Sequence, residues 1–334
     1  MKAYSQHSGK TVEDKRFSHM MAIALDPSVR YKQGVIRCIT HRKGDVEVKG
    51  YVDRSELYKV AGESLEHFSV GERLEIKNQK EIIDELGGEE WDFIGLEDPD
   101  IFVDEHTGLI HLYFTLPFLN KDKAKESSRI HLGHAVGKNL ESLEMTMPAL
   151  EGNSKNTAKE VSIAPPNAQG IRLNLFESSR IENKTWYSTI RIGIARDMDK
   201  SWEFGETIFH PKERKISWAG GHASPGPLLS REFIDVGEGK RLGIINGREA
   251  NQKIGEKTKY GTFSVGLFIY DYEDGKIDWV SPEPFIQDSE AKTITFASQF
   301  VETNSGEGIL YAHVDDSFIR AYTLYAEGIK GLLP

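Results

Sequence analysis

The chain has 334 residues, 38% hydrophobic and 10% aromatic, a net charge of -10 and one cysteine, Cys38. That is enough apolar material for a large core, and the negative charge argues against nucleic acid and anionic membranes as partners. A lone cysteine excludes an intrachain disulfide. The N-terminus has no apolar signal segment, and no apolar run reaches the ~18 residues of a membrane span, so a cytoplasmic enzyme or binding protein is expected.

In chain order, the first strand-like unit is IALDPSVRYKQGVIRCITHR, from Ile23, followed by EVKGYVDRSELYKV, from Glu47. KEIIDELGGEEW, from Lys80, predicts a short helix leading into WDFIGLEDPDIFVDEHTGLIHLYFT, from Trp91. The latter reads as two strands around a Gly-containing turn, with Pro99 at a strand entrance because it cannot donate to a ladder. Related units follow at IAPPNAQGIRLNLFE, HASPGPLLSREFIDVGEGKRLGIING and TFASQFVETNSGEGILYAHVDD. The marker residues Pro27, Pro99, Pro165, Pro225 and Gln299 are 72, 66, 60 and 74 residues apart. Third strands echo one another at RIHLGHAVGKNLESL, TIRIGIARDMDKSW, FSVGLFIYDYEDGKIDW and FIRAYTLY. An all-β chain with a repeat of this length predicts a five-bladed β-propeller, with residues 1–334 as one domain. KDKAKESSR, EGNSKNTAKE and EANQKIGEKTK read as surface loops.

In a propeller the entrances of the innermost strands converge on one channel. Here they supply Asp26, then Glu97 and Asp98 with Asp100 close by, then Lys159 and Glu160, His222, and finally Asp315 and Asp316. Crowded carboxylates raise at least one pKa and so provide a proton donor at neutral pH, which glycoside cleavage needs. Candidate cations are Arg42, Lys159, Arg180, Arg191 and Arg248, each also an ordinary surface residue by type. His222 has a residue type suited to acid–base work, although a single His is as often structural. Trp218, beside the fourth entrance, is the tryptophan best placed in sequence to stack on a sugar. No Cys or His cluster has metal-ligand spacing, and there is no P-loop or nucleophile elbow, so no metal or other cofactor is expected.

GLEDPDIF, from Gly95, resembles the Gly-x-Glu-Asp-Pro-Arg signature of glycoside hydrolase family 130, five-bladed propellers that are mostly phosphorylases and some hydrolases of β-mannosides. The first unit resembles that family's first blade, with Asp26 at a usual Asn and Arg42 at a usual Arg. YAHVDDSFIRAYTL resembles its last blade, with Asp316 at a sugar-binding Asp. The resemblance implies Asp98 as general acid, in phosphorylases through a sugar hydroxyl, and implies an oligosaccharide substrate with inorganic phosphate as a second partner. Asp100 stands at the family's Arg, Asn246 of INGRE at its usual His, and no clear match to its phosphate-binding Lys is present, although Lys212 and Lys215 are near. These departures favour hydrolysis, or a non-catalytic sugar-binding propeller. The chain also resembles glycoside hydrolase family 43 more distantly. That family's acid is a Glu in blade III, where Ile163-Ala164-Pro165 is expected here, with Glu160 out of register. The sequence is compatible with a homo-oligomer.

Overall fold

The computed structural model describes residues 2–44, 51–122, 127–182, 185–254 and 257–334. Part of the first predicted third strand, Glu47–Gly50, and part of the loop after Lys121 lie outside these residues.

After β1 (Tyr4–Gln6), blade I is formed by β2 (Met20–Leu25), β3 (Gln33–Lys43), β4 (Val52–Ser64) and β5 (His67–Arg73). The predicted helix is α1 (Gln79–Gly87). Blade II has β7 (Glu97–Val103), β8 (Ile110–Asn120), β9 (Ser128–Gly137) and β10 (Glu144–Met145), with β6 (Trp91–Phe93) extending β8's pairing. Blade III has β11 (Lys159–Ser162), β12 (Arg172–Glu182), β13 (Thr185–Ala195) and β14 (Glu203–Phe209). After the single turn α2 (Pro211–Arg214), blade IV has β15 (His222–Leu228), β16 (Lys240–Arg248), β19 (Phe263–Asp271) and β20 (Lys276–Val280). A hairpin of β17 (Gln252–Ile254) and β18 (Lys257–Lys259) occupies the stretch read as a plain loop. Blade V has β21 (Thr295–Asn304), β22 (Glu307–Val314) and β23 (Phe318–Tyr325), ahead of α3 (Ala326–Lys330).

The innermost strands touch in a ring: β2 with β7, β7 with β11, β11 with β15, β15 with β21, and β21 with β2. Five buried apolar clusters fill the wedges between successive blades. Leu57 and Leu112 belong to the wedge between blades I and II, Tyr113 and Phe176 to that between II and III, and Ile190 and Ile245 to that between III and IV. Leu242 and Leu310 belong to the IV–V wedge, and Ile36 and Tyr311 to the wedge between V and I. The ends of the chain share one blade, since β1 pairs antiparallel with β23 in the register Tyr4↔Leu324. Arg320, 2% exposed, reaches the carbonyls of His7 and Gly9 and secures the same closure. This is the predicted five-bladed propeller. Among the described residues no helix is long and apolar enough to cross a membrane.

Two predicted blade alignments are corrected. The prolines of the repeated units do not mark one position. Pro99 and Pro225 lie within innermost strands, whereas Pro27 follows β2 and Pro165 follows β11. Proline suits strand ends and turns equally, so it cannot fix register. The common feature is a bulge. Pairing slips by one residue between Met21 and Ile23 in β2 and between Lys159 and Val161 in β11, and a comparable slip falls between Glu97 and Asp100 in β7. The residues at these slips, Ala22, Asp98 and Glu160, all have left-handed backbone, with φ of 50°, 45° and 49°. Glu160 is therefore in register with Asp98. Gly95 seats this arrangement in blade II: at φ 152°, a Cβ there would come within 2.1 Å of the Ser55 carbonyl oxygen. The chain passes edge to edge with blade I, where Ser55 Oγ donates to the Leu96 carbonyl at 3.0 Å.

Asn246 ties blade IV to blade V. Its amide accepts from Ala297 N at 2.8 Å and donates to Ala297 O at 2.9 Å, fully buried. Asn246→Ala leaves two buried backbone groups unsatisfied at about 1–3 kcal/mol each. Urea unfolding should show a loss of several kcal/mol; a loss below about 1 kcal/mol would contradict this role for the clamp.

Candidate functional site

The bulges of β7 and β11 place two carboxylates on one cavity. Asp98 and Glu160 both line it, together with Ala22, Asp100, Gln299 and His313, from blades I, II, III and V. Its volume is about 200 Å³. A left-handed residue in a bulge re-aims its side chain relative to the strand's alternation, and bulges of this kind favour sites.

Arg37, projecting from β3 of blade I, crosses to blade II. Its Nη1 donates to Asp98 Oδ1 at 2.9 Å and its Nη2 to Glu97 Oε1 at 2.7 Å. Burial works against the Arg37 charge, but Glu97, Asp98 and Asp316 outweigh it and hold the guanidinium firmly protonated. Glu97 is pushed up to about 7 by burial, with Arg37 opposing and Asp98 reinforcing the rise. Lys159, on β11 itself and in register with Glu97, is the cation of blade III, 3.2 Å from Glu160 and 3.3 Å from Glu177. Burial disfavours its charge, yet the carboxylates around it raise its pKa. Glu177, on β12 opposite Lys159, is also 3.0 Å from His222 Nε2. Burial opposes its charge, but His222 and Lys159 hold its carboxyl well below the usual range. Glu160 goes the other way. Burial pushes it well above the carboxylate range, Lys159 only partly opposes this, and Glu177 and Asp98 add to it. Ser224 Oγ donates to its second oxygen.

Asp316 completes the mouth from blade V, 3.1 Å from His313 Nε2. Burial opposes its charge, but the His313 contact and the charges of Arg37 and Arg42 keep its pKa low. Asp100 also lines the cavity, and burial lifts its carboxyl to about 7. Among the described residues no group of His, Cys, Asp and Glu is arranged to hold a metal ion.

The structure thus brings together Glu97, Asp98, Asp100, Lys159, His222 and Asp316. Arg42 stands beside them, held by Asp53 at 2.8 and 2.7 Å and 3.2 Å from His19. Arg248, stacked 5.4 Å from the Phe263 ring that also meets His222, borders the same region. Five candidates fall elsewhere. Asp26 lies past the far end of β2, four residues or about 13 Å of strand from Ala22, and accepts from Ser28 N and Oγ as the cap of a short turn. The expectation that Asp26, Asp98, His222 and Asp316 share one mouth fails for Asp26. Asp315 is occupied by the backbone N–H groups of Lys292, Thr293 and Ile294. Trp218, 4% exposed, is core: its indole donates to the Ser281 carbonyl and its ring packs on Gly247 and Gly266. Arg180 and Arg191 line a different cleft.

Sequence reasoning missed Arg37 and Glu177 and set Glu160 aside as out of register. Arg37 lies in VIRCIT and Glu177 in LNLFESS. Each is a lone charge inside an apolar strand, a signal that could have exposed both, since buried charges need partners.

No family model and no curated protein matches this sequence. Solved structures do match in shape. A β-1,2-mannobiose phosphorylase from Listeria innocua, in complex with β-1,2-mannobiose, superposes with a TM-score of 0.67 at 12% identity, over 98% of this chain and 99% of the other. A mannose phosphorylase from Leishmania mexicana, in complex with a phosphate ion, gives 0.58 at 14% identity, over 97% and 89%. An endo-arabinase from Bacteroides thetaiotaomicron gives 0.54 at 15% identity, over 95% and 97%. The chain therefore carries, over nearly its whole length, the propeller fold on which glycoside phosphorylases and arabinan-cleaving hydrolases are built.

Proposed function

We propose that the channel mouth cleaves a short oligosaccharide by inverting hydrolysis, with a β-mannoside as the first substrate to try. The observation that carries this reading is the matched placement of Asp98 and Glu160, in equivalent bulges of neighbouring blades, on one cavity. Inverting hydrolysis needs one carboxyl that holds a proton and one carboxylate that activates water. Glu160 has the environment of the donor, because burial raises its pKa well above the usual carboxylate range. Asp98, fixed by Arg37, is the base; this differs from the role the sequence motif implies for it. Asp316, His222 and Arg42 border the mouth and would bind sugar hydroxyls. A cavity of about 200 Å³ is below the ~300–1,000 Å³ usual for whole ligands, which suits entry of the reacting end alone. The mannoside choice rests on the two phosphorylase likenesses, and cytoplasmic location on composition.

Hydrolysis is preferred over phosphorolysis because the mouth's central cations are already engaged. Arg37 serves two carboxylates and Lys159 another two. A phosphate dianion would have to displace them and would face Asp100 as well. Phosphorolysis with Asp98 as acid is the second reading, favoured by the Gly95–Pro99 motif.

Asp98→Asn and Glu160→Gln should each lower turnover of a natural oligosaccharide about 10²-fold or more, as expected for lost acid–base groups. An aryl glycoside whose leaving group needs no proton separates the roles. Glu160→Gln should recover near wild-type cleavage of it, and Asp98→Asn should not; the reverse pattern would make Asp98 the acid. Wild-type activity should also fall on the alkaline side as Glu160 loses its proton, and this limb should be absent in Glu160→Gln with the activated substrate. Product analysis of a manno-oligosaccharide panel should give free reducing sugar in phosphate-free buffer. Sugar 1-phosphate formed only with added phosphate would refute the hydrolytic reading.

A further inference from the structure

A second cleft, of about 640 Å³, lies on blade III away from the channel. Among the described residues Lys155, Ser178, Arg180, Thr189, Arg191 and Thr207 line it and no carboxylate residue does, although Arg180 Nε pairs with Glu182 Oε1 at 3.3 Å. Three cations among the described lining, of which Arg180 is paired with a carboxylate, run against the composition of a chain of net charge -10. The separation from the channel follows from strand alternation. Glu177 turns to Lys159 and His222, and its neighbour Ser178 faces the opposite way, into the cleft.

The cleft is built rather than incidental. Arg191 is held by Asn156 Oδ1 at 3.0 Å and the Gly205 carbonyl at 2.7 Å, with its guanidinium 5.2 Å from the Phe204 ring. That fixes the group, while its buried Nε has no hydrogen-bond partner. Ser178, 1% exposed, has a buried hydroxyl that is also unpartnered. Thr189 Oγ1 donates to the Ser178 carbonyl at 3.0 Å and stiffens the wall. Buried donors without partners are rare in native proteins and call for an acceptor. Burial lowers the Arg191 pKa, and the neighbouring charge of Arg180 adds to this, so an anion would relieve both.

We propose that this cleft binds an oxyanion, a carboxylate or phosphate group, carried on a ligand of about sugar size. Arg180 and Arg191 would take the oxyanion, a planar fork being suited to either group. The volume lies within the ~300–1,000 Å³ range of small-molecule sites and exceeds what a free ion needs, so the ligand is an acidic or phosphorylated sugar in preference to phosphate alone. This site is independent of whether the channel cleaves glycosides.

The test is calorimetric titration of the full chain with D-glucuronate, glucose 6-phosphate, inorganic phosphate and D-glucose. At least one anionic probe should bind saturably, more weakly at higher salt, and glucose should not compete for the site. Binding should weaken at least tenfold in Arg191→Gln and in Arg180→Gln, the latter on a side chain that is 56% exposed and outside the core. Preference among the anions identifies the source of the oxyanion. Absence of saturable binding by all three anions would overturn the proposal. So would affinity unchanged in both variants, or affinity kept in them and lost in Lys159→Met, which would place the anion in the channel. Because the readout is binding, an inactive channel would leave the result unaffected.

Discussion

Four of the carboxylates at the channel mouth are held by two permanent cations. Glu97 and Asp98 divide Arg37, and Glu160 and Glu177 divide Lys159. Two unit charges about 4 Å apart interact by roughly 4 kcal/mol at an effective dielectric of 20, and desolvation adds to the cost of every unneutralised charge. Full ionisation of all four is therefore unfavourable. The close His222 Nε2 and Lys159 hold the Glu177 pKa low, although burial lowers the pKa of His222 itself, and the pKa values of Glu160, Glu97 and Asp100 rise. The stored proton proposed for Glu160 rests on this charge balance.

The backbone makes this arrangement possible and sets its cost. Asp98 and Glu160 occupy left-handed conformations that are unfavourable for residues with a Cβ, at about 1–3 kcal/mol each. The bulges that impose them are secured from both sides by ladder pairing, and blade contacts such as Gly95 on Ser55 hold the strands in place. Blade I repeats the bulge with Ala22, which contributes cavity wall and no charge. The chemistry is consequently concentrated between blades II and III, with blades I, IV and V supplying Arg37, His222 with Ser224, and Asp316. Removal of Arg37 would leave two buried carboxylates uncompensated, so the cation is structural and electrostatic at once.

Much of this was legible in the sequence. Short apolar strands at regular spacing, closed by turn residues, required the propeller, and GLEDPDIF marked the mouth of blade II. What failed was register. Proline is no common marker, because Pro27 and Pro165 follow their innermost strands, and aligning on it puts Asp26 at the wrong end and Glu160 out of line. A bulge shifts the inward face by one residue without leaving a compositional trace, which is why alternation alone cannot find it. Trp218 and Asp315 were placed near the mouth by sequence adjacency, but one is spent on core packing and the other on backbone N–H groups. Arg37 carried a readable signal, a charge in an apolar strand, that outranked Arg42.

The central claim is that Glu160 holds a proton at neutral pH. Difference infrared spectroscopy of wild type against Glu160→Gln, at pH 7 and in the absence of substrate, observes that proton directly through the carbonyl stretch of a protonated carboxyl. The account predicts a protonated-carboxyl band in the wild type that disappears in the variant and titrates away only well above the usual carboxylate range. A spectrum in which Glu160 contributes only ionised carboxylate at pH 7 would contradict it.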